Sequence, residues 1–167
     1  MSKAKVPYSV LELATVGQDL GPAVALQNSV TLAQKVEELG YKRFWLAEHH
    51  NMISIASTAT AVLIGHVAGG TKTIRVGSGG IMLPNHSPLI VAEQFGTLGQ
   101  LYPNRIDLGL GRAPGTDQIT AQAIRSDRMH AQHNFPNEIE QIQKYFSNDN
   151  EKSLVRATVA EGVDVPI

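Results

Sequence analysis

In the segment RFWLAEHH, residues 43–50, an apolar run ends in a carboxylate and two imidazoles, Glu48, His49 and His50. An imidazole titrates near neutral pH and can accept and return a proton, so the triplet is a candidate acid–base centre. Side chains alternate along a strand, which sets Glu48 and His50 on one side and His49 on the other. Three ligands converging on one metal are therefore a poor reading of it, and no metal is expected. The plainer alternative is a strand end whose histidines bond to a neighbouring loop.

Two further segments could serve such a centre. VGSGG, residues 76–80, closes another apolar run, and glycines within a strand mark either a tight turn or a close approach of backbone to a ligand. GLGRAPG, residues 109–115, offers Arg112, whose guanidinium could clamp a phosphate through paired hydrogen bonds. Arg112 could equally be a surface arginine, or pair with Asp107 or Asp117. The spacing G-x-G-x-x-x-G, with Pro114 inside it, departs from the dinucleotide fingerprint. Glu12 reads as exposed by strand alternation or as a buried acid in need of a partner. His86 reads as a loop residue and His66 as a hydrogen-bonded core histidine, while His130 and His133 receive no role.

These residues need a scaffold that brings strand ends together. YSVLELATVG (8–17), RFWLAEHH (43–50), TIRVGSGGIML (73–83) and RIDLGLGRAPG (105–115) read as strands. Between them lie a helix capped at Asn28 or Ser29 and stopped by Gly40, a helix from Ser57 that is apolar almost all round and so buried, and a helix with Ser87 as N-cap and Pro88 at its first position. The order βαβαβαβ with short links predicts an α/β fold with a parallel sheet and right-handed crossovers. A short helix over 116–123, an amphipathic helix over FPNEIEQIQKYFSN, a solvated loop SNDNEKS and a last short strand with a turn at Glu161 and Gly162 complete the expectation. In parallel α/β folds chemistry gathers at the C-terminal ends of strands, which is where Glu48, Gly79, Gly80 and Arg112 all fall.

The chain of 167 residues suits a single domain over 1–167, and 43% hydrophobic with 17% charged residues fits a globular protein. A net charge of -1 with scattered basic residues argues against nucleic acid or an anionic membrane as partner. Cysteine is absent, which excludes disulfides and a thiol nucleophile. No run is long enough to span a membrane, and MSKAKVPYS lacks the apolar stretch of a signal peptide, so a cytoplasmic location is expected.

Taken in order, FWLAEHH, IRVGSGGIMLPNHSPLIVAEQF and YPNRIDLGLGRAPGTD resemble the luciferase-like monooxygenases, flavin-dependent enzymes related to bacterial luciferase. The resemblance implies a TIM-type (βα)8 barrel, of which this chain holds about the first four βα units, a half barrel. It implies reduced FMN, with the deazaflavin F420 as the lesser alternative, bound at the C-terminal rim, and O2 used to oxidise a small organic substrate through a peroxyflavin. His49 would be the catalytic histidine and Glu48 would lie beside the flavin. Gly79 and Gly80 would form a non-prolyl cis peptide beneath its ring, and Arg112 would meet its phosphate. A flavin reductase is implied as supplier of reduced flavin. A four-strand half leaves open edges and an uncovered apolar face, so a homo-oligomer is expected. The alternative is a non-catalytic flavin-binding or structural oligomer that lacks the second half of the barrel.

Overall fold

Four short runs form one parallel sheet in the computed structural model, which describes residues 6–125 and 128–167. They are β1 (Ser9–Glu12), β2 (Arg43–Leu46), β3 (Arg75–Met82) and β4 (Ile106–Gly111). Helices α1 (Pro22–Glu38), α2 (Thr60–Gly70) and α3 (Pro88–Leu101) connect them, and α4 (Gln118–Ile124), α5 (Arg128–His133) and α6 (Phe135–Phe146) follow β4. The spatial order β1-β2-β3-β4 is the chain order, with every pair parallel. Right-handed crossovers that always step the same way leave their helices on one face. That is the winding of a barrel, whereas a doubly wound sheet reverses its order at a switch point.

The helix-facing side of the sheet carries the core. Phe44, Leu46, Val76, Ile106 and Leu108 are buried there in one cluster with Ile64, Val67, Val91 and Phe95 of α2 and α3. Full burial of each such side chain contributes roughly 1.5–3 kcal/mol. The opposite side is open. A Cβ placed on Gly79 would lie 3.1 Å from both Leu11 Cδ1 and Trp45 Cβ, so these residues share that face, where Leu11 is 56% exposed.

Several boundaries differ from the sequence reading, for identifiable reasons. Helix α1 starts at Pro22 after an extended Gly21, not at Asn28 or Ser29, because proline presets the first helical φ. Ser29 is instead a buried helix residue whose Oγ donates to Ala25 O at 3.2 Å. Strand β1 ends at Glu12, since Ala14 turns to φ 52 while its N–H is caught by Glu12 Oε1 at 2.6 Å. Glu12 is thus half-buried with a backbone partner. Helix α2 starts at Thr60 and is one-sided: Val62 is 74% exposed and His66 also faces outward, so His66 is not a core histidine. Residues 148–152 form a 3-10 turn rather than a loop, and His133 closes α5. The side chain of His130 lies outside the described residues.

The short strand expected within SLVRATVAEGVDVPI does not form; residues 153–160 run through bends and turns, with Ala157 and Ala160 packed on Ala92 and Tyr145. The final residues then return to the sheet, where Leu108 N donates to Pro166 O at 2.8 Å. Among the described residues, no helix is long and apolar enough to cross a membrane.

Candidate functional site

Strand β2 is shorter than the apolar run suggests, and its end opens into the site. Ala47 N still reaches Glu12 O at 3.1 Å, but His49 N donates to Ser57 O at 3.1 Å and His50 N to Gly115 O at 3.0 Å. The triplet has therefore left the ladder and is held by the loops around it. Glu48 turns inward and is 1% exposed.

Burying a carboxylate is tolerated only when its oxygens are satisfied. Here four groups supply them. Oε1 accepts from His50 Nε2 at 2.7 Å, His86 Nε2 at 2.9 Å and Asn85 Nδ2 at 3.1 Å. Oε2 accepts from Met82 N and His86 Nε2, both at 2.9 Å. Burial pushes the carboxyl up, but hydrogen bonding and charge from His86, the His50 bond and the Met82 amide outweigh it and hold Glu48 below the ordinary carboxylate range. Contact between Glu48 and His50 agrees with the alternation that put them on one side. The His49 ring takes no part in these hydrogen bonds, and its Nδ1 is buried without a hydrogen-bond partner among the described residues.

Sequence reasoning missed His86 as a member of this site. It follows a 3-10 turn over Leu83–Asn85, which folds the chain after β3 back over the strand ends. The available signal was Glu48 itself, since an inward acid at a strand end demands donors. Asn85 was missed likewise; its Nδ2 also reaches Pro114 O at 2.9 Å.

The glycine pair lies at a register slip. Ser78 pairs with Leu108 and Ile81 with Leu110, so Gly79 and Gly80 together oppose Gly109 alone. Their peptide bond is cis. A Cβ on Gly80 would lie 2.8 Å from Gly109 O, and one on Gly109 would overlap the Ser78 carbonyl oxygen. Ser78 Oγ donates to Gly109 O at 2.8 Å and fastens the slip from inside. Backbone meets backbone here, which leaves Gly79 exposed on the open face beside Trp45.

Arg112 is not among the donors to Glu48. It is exposed, and its Nε donates to Gln132 O of α5 at 3.2 Å. The two acids considered for it are engaged elsewhere. Asp107 binds Arg75 through both carboxylate oxygens and Arg43 at 3.2 Å. Asp117 caps α4 through Thr120 N at 3.0 Å and binds Asn51 Nδ2 at 3.3 Å. Thr116 Oγ1 reaches His50 O at 2.9 Å, so the loops after β2 and β4 are joined directly.

A parallel, singly wound half barrel with its polar residues gathered at the C-terminal strand ends is the class that fold and site define. Residues 6–139 match the luciferase-like monooxygenase family. The Bacillus subtilis (strain 168) protein YvbT is 60% identical over 160 residues, which are 95% of this chain and 47% of that protein. A luciferase-like monooxygenase of Escherichia coli (strain K12) is 47% identical over 167 residues, 100% of this chain and 50% of that one. Among solved structures, apo-MsnO8 superposes with TM-score 0.83 at 44% identity, over 90% of this chain and 45% of its own. The chain belongs to the luciferase-like monooxygenase family. It spans about half the length of the curated relatives it matches.

Two more distant structures share the fold. The oxygenating constituent of 3,6-diketocamphane monooxygenase, solved with FMN, has TM-score 0.64 at 17% identity, over 83% of this chain and 36% of its own. An F420-dependent secondary alcohol dehydrogenase, solved with an F420–acetone adduct, has TM-score 0.63 at 18% identity, over 86% of this chain and 42% of its own.

Proposed function

We propose that this chain carries the N-terminal half of a reduced-flavin site, in which a luciferase-like enzyme uses O2 to oxidise a small organic substrate. The observation that carries the reading is His49 Nδ1. A buried polar atom without a partner costs free energy, and a bound group that meets it recovers that cost. Two further features support a planar, phosphate-bearing cofactor. Gly79 and Gly80 present bare backbone on the open face, and Arg112 offers an exposed guanidinium.

In this reading His49 is the catalytic residue, holding or delivering a proton at its ring nitrogen. Glu48 stands beside the cofactor as the anchor of the strand end, Gly79 and Gly80 form the floor, and Arg112 binds the phosphate. When bound, the reduced flavin supplies the electrons for oxygen chemistry. FMN is the preferred form and F420 the alternative; the fold occurs with each. A cytoplasmic flavin reductase supplies the reduced cofactor, and two copies of the chain associate. A second reading, a non-catalytic flavin-binding or structural oligomer, is favoured by the uncovered face around Leu11.

Anaerobic titration of the purified chain with reduced FMN, followed by admission of air, tests this. Binding and slowed autoxidation are expected, with Arg112→Ala weakening affinity about tenfold, the scale of one charge-assisted hydrogen bond. His49→Ala should keep the binding and lose the slowed autoxidation. Absence of FMN binding would sink the enzymatic reading for this chain, and a dimer that binds no flavin would leave the structural one.

A further inference from the structure

The rim contains a buried charge that the roles above do not explain. Glu48 is satisfied by groups from three separate stretches: His50 beside it, the Met82 amide at the end of β3, and Asn85 and His86 at the close of the 3-10 turn. Asn85 carries the linkage on to Pro114 after β4. One carboxylate thus ties together the ends of β2, β3 and β4.

We propose that His86 is a positioning residue for His49, acting through Glu48. For its functional meaning this rests on the role given to His49 above. The geometry is specific. His86 Nε2 reaches both carboxylate oxygens at 2.9 Å, the only donor of the four to do so in the bonds described. Its backbone is held from both sides, with His86 N donating to Leu83 O at 2.9 Å and Arg125 Nη1 donating to His86 O at 2.7 Å. Arg125 in turn lies 3.6 Å from Glu138 of α6. The imidazole is therefore presented by a braced loop.

Chemistry fixes the tautomers. An ionised carboxylate accepts and cannot donate, so every nitrogen against it presents a proton. His50 and His86 both carry hydrogen on Nε2. Each is then oriented as well as bound, because rotating either ring would bring a carbon against the carboxylate. The link to His49 is covalent: the peptide leaving Glu48 carries the His49 amide, which donates to Ser57 O at 3.1 Å. The donors fix where the Glu48 side chain can sit, and the backbone that joins it to His49 is the route by which loosening that clamp would shift the His49 ring. His86 does not need to touch His49 to aim it.

The test compares His86→Leu, which removes the donor, with His86→Gln, which keeps an N–H at similar reach. Nuclear magnetic resonance on the cofactor-free chain reads three signals: the protonated nitrogen of His50 and His86, the His49 ring resonances, and hydrogen exchange at the Met82 amide. In the unaltered chain both Nε2 atoms should be protonated. His86→Leu should shift the His49 ring signals and speed Met82 exchange by about tenfold, the loss of roughly one hydrogen bond. His86→Gln should restore both to within about threefold of the unaltered chain.

A merely structural role would disturb the core in both variants alike, so equal effects of Leu and Gln overturn the proposal. So does an unshifted His49 in His86→Leu, or a His86 with no proton on Nε2. If the leucine variant does not fold, His86→Asn, whose shorter amide falls short of the carboxylate, takes its place with the same expectation. Because no flavin is present, these outcomes stand apart from the FMN titration: loss of FMN binding with an intact clamp removes the flavin reading and leaves the linkage.

Discussion

Replacing Glu48 by glutamine changes one atom and asks how much the rim depends on charge. The carboxylate meets four donors through five short contacts, all between 2.7 and 3.1 Å. Glutamine presents one accepting oxygen and one amino group that only donates. If its oxygen takes the Oε1 position, the amino group faces the Met82 N–H; if it takes the Oε2 position, the amino group faces His50 and Asn85. Either orientation buries at least one donor against a donor. Hydrogen bonds to a charged group contribute about 1.5–3 kcal/mol each, and the variant loses one or two of them. Removing a buried charge returns part of that, so the net destabilisation is about 2–4 kcal/mol.

The assay is urea unfolding of both chains, where a shift of midpoint at constant slope reports stability alone. The acid dependence supplies the sign. Glu48 titrates lower in the folded chain than its ordinary 4.5, so its contribution is present above about that pH and fades as the pH falls through the folded value. The difference between the chains should therefore be constant near neutrality and shrink in acid. A difference below about 0.5 kcal/mol at neutral pH, or one that stays unchanged down to strongly acid pH, would refute the account of Glu48 as an ionised anchor.

Other substitutions probe the same scaffold at different points. Gly109→Ala puts a methyl group onto the Ser78 carbonyl and threatens the Ser78 Oγ bond, so it should lose about 3 kcal/mol in the same unfolding assay. Gly21→Ala, where nothing lies within 4 Å, is the control and should change little. At the far end of the sheet, burial raises the Glu37 carboxyl, but the amides of Thr73, Ile74 and Lys72 with the Thr73 hydroxyl overcome this and bring it to about 2. Much of that group faces solvent, so Glu37→Gln should lower stability by only about 1 kcal/mol. The loss should be full above pH 4.5 and diminish toward pH 2; thermal melts that show an equal loss at pH 7 and pH 2.5 would contradict it.

Periodicity revealed the order of the elements because burial of one face imposes it directly. It overstated the strands for the same reason. Leu13 to Gly17 continue an apolar run, yet Ala14 is buried in a turn, not in a ladder. Hydrophobicity reports that a residue is inside and not which backbone holds it there. The start of α1 was hidden because Pro22 to Val24 carry no buried stripe; the buried face begins at Ala25. His66 misled because α2 is apolar in composition while one side of it faces outward. His86 could not be found from local sequence, since its meaning depends on a carboxylate 38 residues earlier.

That last separation also distinguishes the two ends of the open face. The rim is joined within this chain: Glu48 holds the ends of β2 and β3, Asn85 reaches the loop after β4, and the Ile55 bridge to Thr15 draws in the loop after β1. The face below it is not covered by this chain. Leu11 is exposed, and Arg43 lies over Trp45 with its guanidinium 5.9 Å from the ring centroid and 40% of its side chain in solvent. Local hydrogen bonds can preorganise a rim from four strands, because each bond needs only its two partners. Burial of an apolar face needs a second surface. The site geometry should therefore be more nearly complete in this half than its stability is.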